Sequence, residues 1–310
     1  MYFFRFFLTD IFVVARGVIF AAFFTAMSVF DTIRNIFSDR PKCRLTQSAL
    51  EGMAEGGAVG EALGLPVVGR TAVDLRKFPV TEMLGYGDGV TPGGTVSVCT
   101  NAACDMAQFI LDNEVQGLSP SRFLSLINSW YLYKASGEED SLKILLSGSV
   151  VSGCVFSALP HFTVEKAVES MPDLVCDCAI ASASLFFGAA MYLSQGCKPA
   201  VAVNKAKQLS DKLCAKIGLV VGKDGIEETL RHLLEAYSDC AADGYPAVVL
   251  GAVNSGVMPD LAGFLVGSLA GLVSSGSNIP ERWKSLLLRA SESRIAAGRL
   301  YPLIERHIKK

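Results

Sequence analysis

Glycine recurs at every fourth residue in two places: Gly52, Gly56, Gly60 and Gly64, and again Gly263, Gly267 and Gly271. On a helix, that spacing puts each set on one face. A glycine inside a helix costs about 1 kcal/mol relative to alanine. A helix that carries several is therefore expected to gain close backbone packing in return. Such stripes also occur in membrane helices, but Glu51, Glu55 and Glu61 interrupt the first one, which points to a tight soluble bundle.

From Leu45 onward the pattern is helix after helix, broken by short polar stretches at Gly85 to Gly94, Ser136 to Asp140, Gly196 to Pro199 and Ser274 to Pro280. Alternation of strand type is scarce. The expected fold is all-α: a single compact multi-helix domain over residues 45–310, with about a dozen helices. A chain that is 51% hydrophobic and 19% charged has enough apolar surface to bury a core. A net charge of −2 lacks the basic excess of a nucleic-acid-binding surface. The nine cysteines are odd in number and scattered through apolar segments, which argues against a disulfide framework and for a reducing compartment. Cys176, Cys178, Cys99 and Cys104 lack the spacing of zinc ligands and are expected to be buried free thiols.

Residues 1–44 form an apolar N-terminal extension of different composition, rich in Phe, Ile, Val and Ala. Its longest uncharged run, Gly17 to Phe30, has 14 residues, against the roughly 20 that a membrane span needs. Ile11 to Phe30 reaches that length by including Arg16, which can snorkel from the end of a span. Arg34, Arg40, Lys42 and Arg44 follow the run and would keep the C-terminal part on the cytoplasmic side. Three readings stay open: a membrane-associated helix through residues 1–37, a buried accessory helix, and an overlong gene model. The first implies a cytoplasmic domain tethered at its N-terminus.

Four segments in order carry a resemblance. Gly56-Gly-Ala-Val-Gly-Glu61-Ala-Leu-Gly-Leu-Pro66 is similar to G-x-x-x-G-D-A-L-G-x-P, with Glu61 for Asp. Pro92-Gly-Gly-Thr-Val-Ser97-Val98-Cys99-Thr100 is similar to P-G-G-x-[WF]-[ST]-D-D-T. Ser152-Gly-Cys-Val-Phe-Ser157-Ala-Leu-Pro160 is similar to N-G-A-x-M-R-x-x-P. Ala252-Val-Asn254-Ser-Gly-Val-Met258-Pro-Asp260-Leu261 runs through Gly267 and Gly271 to Ile279-Pro-Glu-Arg-Trp283, and resembles A-V-N-x-G-G-D-x-D-T…G-x-x-x-G…I-P-E-R-W. On these residues the chain resembles the ADP-ribosylglycohydrolases, the family of the dinitrogenase-reductase-activating glycohydrolases and ADP-ribosylarginine hydrolases.

The resemblance implies hydrolysis of a glycosidic bond between ADP-ribose and a modified side chain, with two magnesium ions held by the D-D-T and D-x-D-T turns. Hard cations of this kind need clustered oxygen ligands. The resemblance puts Val98 and Cys99 at the two aspartates of the first turn, with Ser97 before them and Thr100 retained. In the second turn, Met258 and Leu261 replace an aspartate and a threonine, and Asp260 is retained. Val68 falls at a further acidic position, Met171 at a histidine, and Ser152 and Ser157 at an asparagine and an arginine. Valine, methionine and leucine cannot coordinate magnesium, and a thiolate suits it poorly. Asp260 and Thr100 are thus the remnants of a metal site, and no cofactor is expected. Each also has a plain structural role in prospect: Asp260 as a helix N-cap after Pro259, Thr100 as a packed helix residue.

Other candidate positions are Asp88 in a flexible Gly-rich loop and the pair Asp173 and Asp177, four apart on one expected helix, a spacing that can bind a metal but more commonly marks an exposed acidic pair; His161, His232 and His307 form no local motif. The leading expectation is a non-catalytic member of this fold, a binding or regulatory module for a protein partner or a weakly held ADP-ribose-like ligand. The alternatives are an active hydrolase with a reorganised site, and a membrane-attached helical platform.

Overall fold

The computed structural model describes residues 43–113, 129–130, 134, 140–158, 177–217, 225–288 and 290–308. The apolar extension up to residue 42, His161, Met171 and Asp173 lie outside them. The described residues hold eleven α-helices and no strand. In chain order these are α1 (Gln47–Gly64), α2 (Ala72–Lys77), α3 (Val98–Asp112), α4 (Ser141–Phe156), α5 (Asp177–Ser194), α6 (Pro199–Ile217), α7 (Ile226–Cys240), α8 (Tyr245–Asn254), α9 (Pro259–Ser274), α10 (Glu281–Leu286) and α11 (Ala290–Ile308). Among the described residues, no helix is long and apolar enough to cross a membrane.

The two glycine stripes meet each other. α1 and α9 lie antiparallel, so that Gly52 faces Gly271, Gly56 faces Gly267, Gly60 faces Gly263, and Gly64 faces Pro259 and Asp260. A Cβ at any of Gly52, Gly56, Gly60 or Gly64 would fall under 3.0 Å from backbone atoms of α9 or the turn after it. Glycine is required there by proximity, since these positions are helical. The seam also explains how a helix with so many poor helix formers persists. Thr46 caps α1 by accepting the Ala49 N–H at 3.1 Å, and the Tyr245 hydroxyl donates to the Gly56 carbonyl at 2.5 Å. The rest of the α1 stability comes from burial, as in most protein helices.

Around this seam α3, α4, α5, α8 and α11 complete one apolar core, with Leu50, Val59, Ile110, Leu145, Phe186, Val249 and Leu265 fully buried. Cys43, Cys99, Cys104, Cys154, Cys197, Cys214 and Cys240 are free thiols; Cys99, Cys154 and Cys214 are buried, Cys104 only partly, contrary to the expectation from its apolar surroundings in sequence, and Cys240 is exposed.

The seam fixes where the functional turns lie. Gly64 abuts the first residues of α9, so the C-terminal end of α1 and the N-terminal end of α9 meet. The chain then runs from Leu65 to Ser97, through α2 and a long loop, before starting α3. Three retained motif residues hold this loop. The Asn254 side chain accepts the Val80 N–H at 2.8 Å and donates to the Val80 carbonyl at 2.9 Å. Trp283 Nε1 donates to Glu82 at 2.9 Å, and Arg282 pairs with the same carboxylate.

Candidate functional site

The first turn of α3 has no cap of its own. Ser97 occupies the N-cap position but its side chain makes no capping bond. The cap comes from α1: the Glu61 carboxylate accepts the N–H of Cys99 through Oε1 and the N–H of Thr100 through Oε2, each at 2.9 Å. Two of the four orphan donors at a helix start are thereby satisfied by a residue 38 positions away, and its charge faces the positive end of the helix dipole. Glu61 is fully buried. Burial raises its carboxyl pKa, against the lowering effect of the hydrogen bonds from Thr100 and Cys99.

The second turn opens α9. Met258 is its N-cap residue and sits in the left-handed region, φ 39° and ψ 65°. That conformation is uncommon outside glycine, asparagine and aspartate. Asp260 is not the N-cap that the sequence suggests. It lies one residue inside the helix, and its carboxylate turns away from the backbone to a cation. Lys143 Nζ lies 2.8 Å from Asp260 Oδ2 and 3.2 Å from Asp140 Oδ1. The side chains of Asp260 and Lys143 are 3% and 18% exposed, so this is a largely desolvated pair. Burial alone would lower the Lys143 pKa; the hydrogen bond and charge of Asp260, and then those of Asp140, outweigh it and raise the pKa above the usual lysine value.

The two turns converge. Cys99 is fully buried, and its thiol pKa is raised well above the ordinary value by burial and then by the nearby charges of Glu61 and Asp260. It is a protonated thiol packed where α1, α3, α4 and α9 come together. Thr100 is buried beside it, and Leu261 is fully buried on α9. Val98 is half-buried at the start of α3.

The remaining positions stay apart or do local work. Val68 is 47% exposed on the loop after α1. Ser152 donates to the Gly148 carbonyl within α4. Ser157 donates to the Cys154 carbonyl and lies 3.2 Å from the Cys43 thiol. Asp88 closes its own loop: it accepts from the Thr91 hydroxyl and from the N–H groups of Thr91 and Val90, and these bonds lower its pKa to about 2. His232 is exposed and pairs with Glu228 and Glu235. Among the described residues, no three His, Cys, Asp or Glu side chains are placed to hold a metal ion.

The ADP-ribosylglycohydrolase profile matches residues 44–309. The chain belongs to the ADP-ribosylglycohydrolase family. A solved structure titled "ADP-ribosylglycohydrolase-related protein complex" superposes on this family member with a TM-score of 0.54 and 22% sequence identity, covering 83% of this chain and 98% of that chain. At that identity the likeness is one of fold. Comparison with curated protein sequences gave no match.

The family implies two magnesium ions, and the residues at this site do not fit them. One carboxylate of the two turns survives, and an ammonium group is already bonded to it. The other buried carboxylate, Glu61, is committed to the α3 backbone. The neighbouring sulfur is a thiol, a soft donor unsuited to a hard cation. The hollow beside Thr100, also lined by Cys104, Ser268 and Ser293, has a volume of about 20 Å³, enough for roughly one water molecule.

Sequence reasoning missed two of the residues that define this site. Glu61 reads as a mere exchange for aspartate, whereas it caps a distant helix. Lys143 carried the clearer signal: it is the one charged residue in the apolar run Ser141–Phe156. A lone lysine in a buried helix needs a partner.

Proposed function

We propose that this protein is a non-catalytic member of the ADP-ribosylglycohydrolase family that acts as a binding or regulatory module. The observation that carries this reading is the occupation of Asp260 by Lys143, at the turn where the family's reaction needs a divalent cation. Without that cation nothing at the site polarises a ribose hydroxyl or activates a water, the parts that metals play in such hydrolysis. The motif residues that persist support the same reading, because Asn254, Arg282 and Trp283 hold the frame.

A protein is the favoured partner. The loop between α2 and α3 exposes Phe78, Leu84, Tyr86 and Val90, from 60% to 78%. A docking surface is marked by a contiguous exposed apolar patch, and this segment supplies the side chains for one. ADP-ribose is expected to bind weakly, since no metal offsets its pyrophosphate charge.

The test is magnesium-dependent release of ADP-ribose from ADP-ribosylated arginine and serine peptides, alongside calorimetric titration with ADP-ribose. No release and no binding in the low micromolar range are expected. Magnesium-dependent turnover by the wild-type chain would overturn the proposal.

A further inference from the structure

We infer that Lys143 is a built-in counter-cation, a tethered ammonium that does for Asp260 what a bound metal ion does elsewhere in this fold. The inference deepens the non-catalytic reading and rests on it for the statement that no metal is held. Its own content is separate: the helix ends join through an organic cation, and the site keeps a place for positive charge.

Three observations support it. The ammonium is bracketed by Asp260 at 2.8 Å and Asp140 at 3.2 Å, so it bridges carboxylates from two elements, as a metal would. Asp260 is almost wholly buried, and a buried carboxylate stripped of its partner is strongly destabilising. Among the described residues, Lys143 is the basic side chain within ion-pair distance of Asp260. Glu61 and Cys99 face the same place, the first a carboxyl and the second a neutral thiol.

A lysine differs from a metal ion in what it permits. Its ammonium has three donors and no open coordination position, so it neutralises without activating a water. It is also covalently held, so the site needs no ion from solution. The exchange of a diffusible cation for a tethered one thus keeps the electrostatics of the junction while discarding its chemistry.

The experiment is chemical rescue in the full chain, at constant ionic strength. Lys143→Ala removes a propylammonium unit and leaves Asp260 buried. Its melting temperature should fall by roughly 6–15 °C. Added propylammonium should recover part of that fall, and magnesium chloride should do the same, whereas 1-propanol, of similar size and no charge, should not. The wild type should respond to none of them. Adding Asp260→Asn to Lys143→Ala should abolish the rescue. Should Lys143→Ala not fold, Lys143→Gln, which keeps most of the length and loses the charge, should melt below wild type and gain stability with magnesium. Rescue by 1-propanol as strong as by propylammonium would overturn the inference, since the side chain would then act by packing. A charge-free Lys143 variant that melts like wild type would overturn it too. Neither result bears on hydrolysis, so failure here and failure of the non-catalytic reading are told apart.

Discussion

Glu61 on α1 accepts the backbone N–H of Thr100 on α3 at 2.9 Å, and through its other oxygen the N–H of Cys99. A single buried carboxylate thereby caps a helix from another helix. Glu61→Ala leaves two buried donors without acceptors and should cost about 2–4 kcal/mol. Denaturant unfolding of the two proteins measures it; a loss under 0.5 kcal/mol would mean that water replaces the cap at no cost.

The same carboxylate gives a pH dependence of unusual sign. Burial raises the Glu61 pKa, so the folded state binds the proton more tightly than the unfolded one. Its contribution to stability is therefore greatest below the unfolded value of about 4.3 and declines as pH rises through the raised folded value. Glu61→Gln cannot titrate. The stability of the wild type relative to Glu61→Gln should increase as pH falls from 7 toward 4.5, read as the difference between parallel urea curves. A difference that stays flat or shrinks would contradict the direction of the shift.

Lys143 contributes a loss of stability at alkaline pH. Its pKa is raised in the fold, so its contribution is complete below the unfolded lysine value of about 10.4 and is lost as pH climbs above it toward the folded value. Wild type should lose stability above pH 10.5 more steeply than Lys143→Met with Asp260→Leu, in which the pair is replaced by apolar groups. Equal slopes would show that the pair adds nothing at that pH.

The α1–α9 seam predicts opposite effects for the same substitution at two glycines. Gly60→Ala places a methyl group against the Gly263 carbonyl and should cost about 3 kcal/mol or prevent folding. Gly251→Ala on α8 meets nothing within 4 Å and should stabilise by about 0.5–1 kcal/mol. Thermal melts of both variants decide the matter.

Restoring the metal ligands also requires removing the tethered cation. Val98→Asp, Cys99→Asp, Met258→Asp and Leu261→Thr rebuild the ligand set beside Thr100 and Asp260, and aspartate tolerates the left-handed backbone of position 258 better than methionine does. With Lys143 in place the ammonium still holds Asp260, so magnesium should raise the melting temperature only when Lys143→Ala is added. A magnesium response of the same size with Lys143 present would show that the lysine yields to the ion.

The fold was legible in the sequence because its main constraint is steric and periodic. The spacing of Gly52 to Gly64 and of Gly263 to Gly271 requires a face with no side chains, whatever lies opposite. That the two faces meet is a tertiary fact, and the spacing alone does not contain it. The site was legible by subtraction. Val98, Cys99, Met258 and Leu261 stand where ligands are expected, and the structure brings Cys99 and Asp260 together. The hydrogen bonds that define the site join residues 38 and 39 apart in Glu61 with Cys99 and Thr100, and the ion pair joins Lys143 to Asp260. Pairings across such distances leave no local pattern. Asp260 shows the same limit: its neighbours predict a cap, and its partner lies on α4.

The seam between α1 and α9 consists of main-chain atoms touching main-chain atoms. Its specification is a set of missing methyl groups, and those omissions ask nothing of the side chains at the helix ends. Architecture and reactivity are therefore written in separate residues of this chain: the glycine seam keeps its outline whole whatever stands at the helix ends, and that outline is offered for recognition whether or not the ends react.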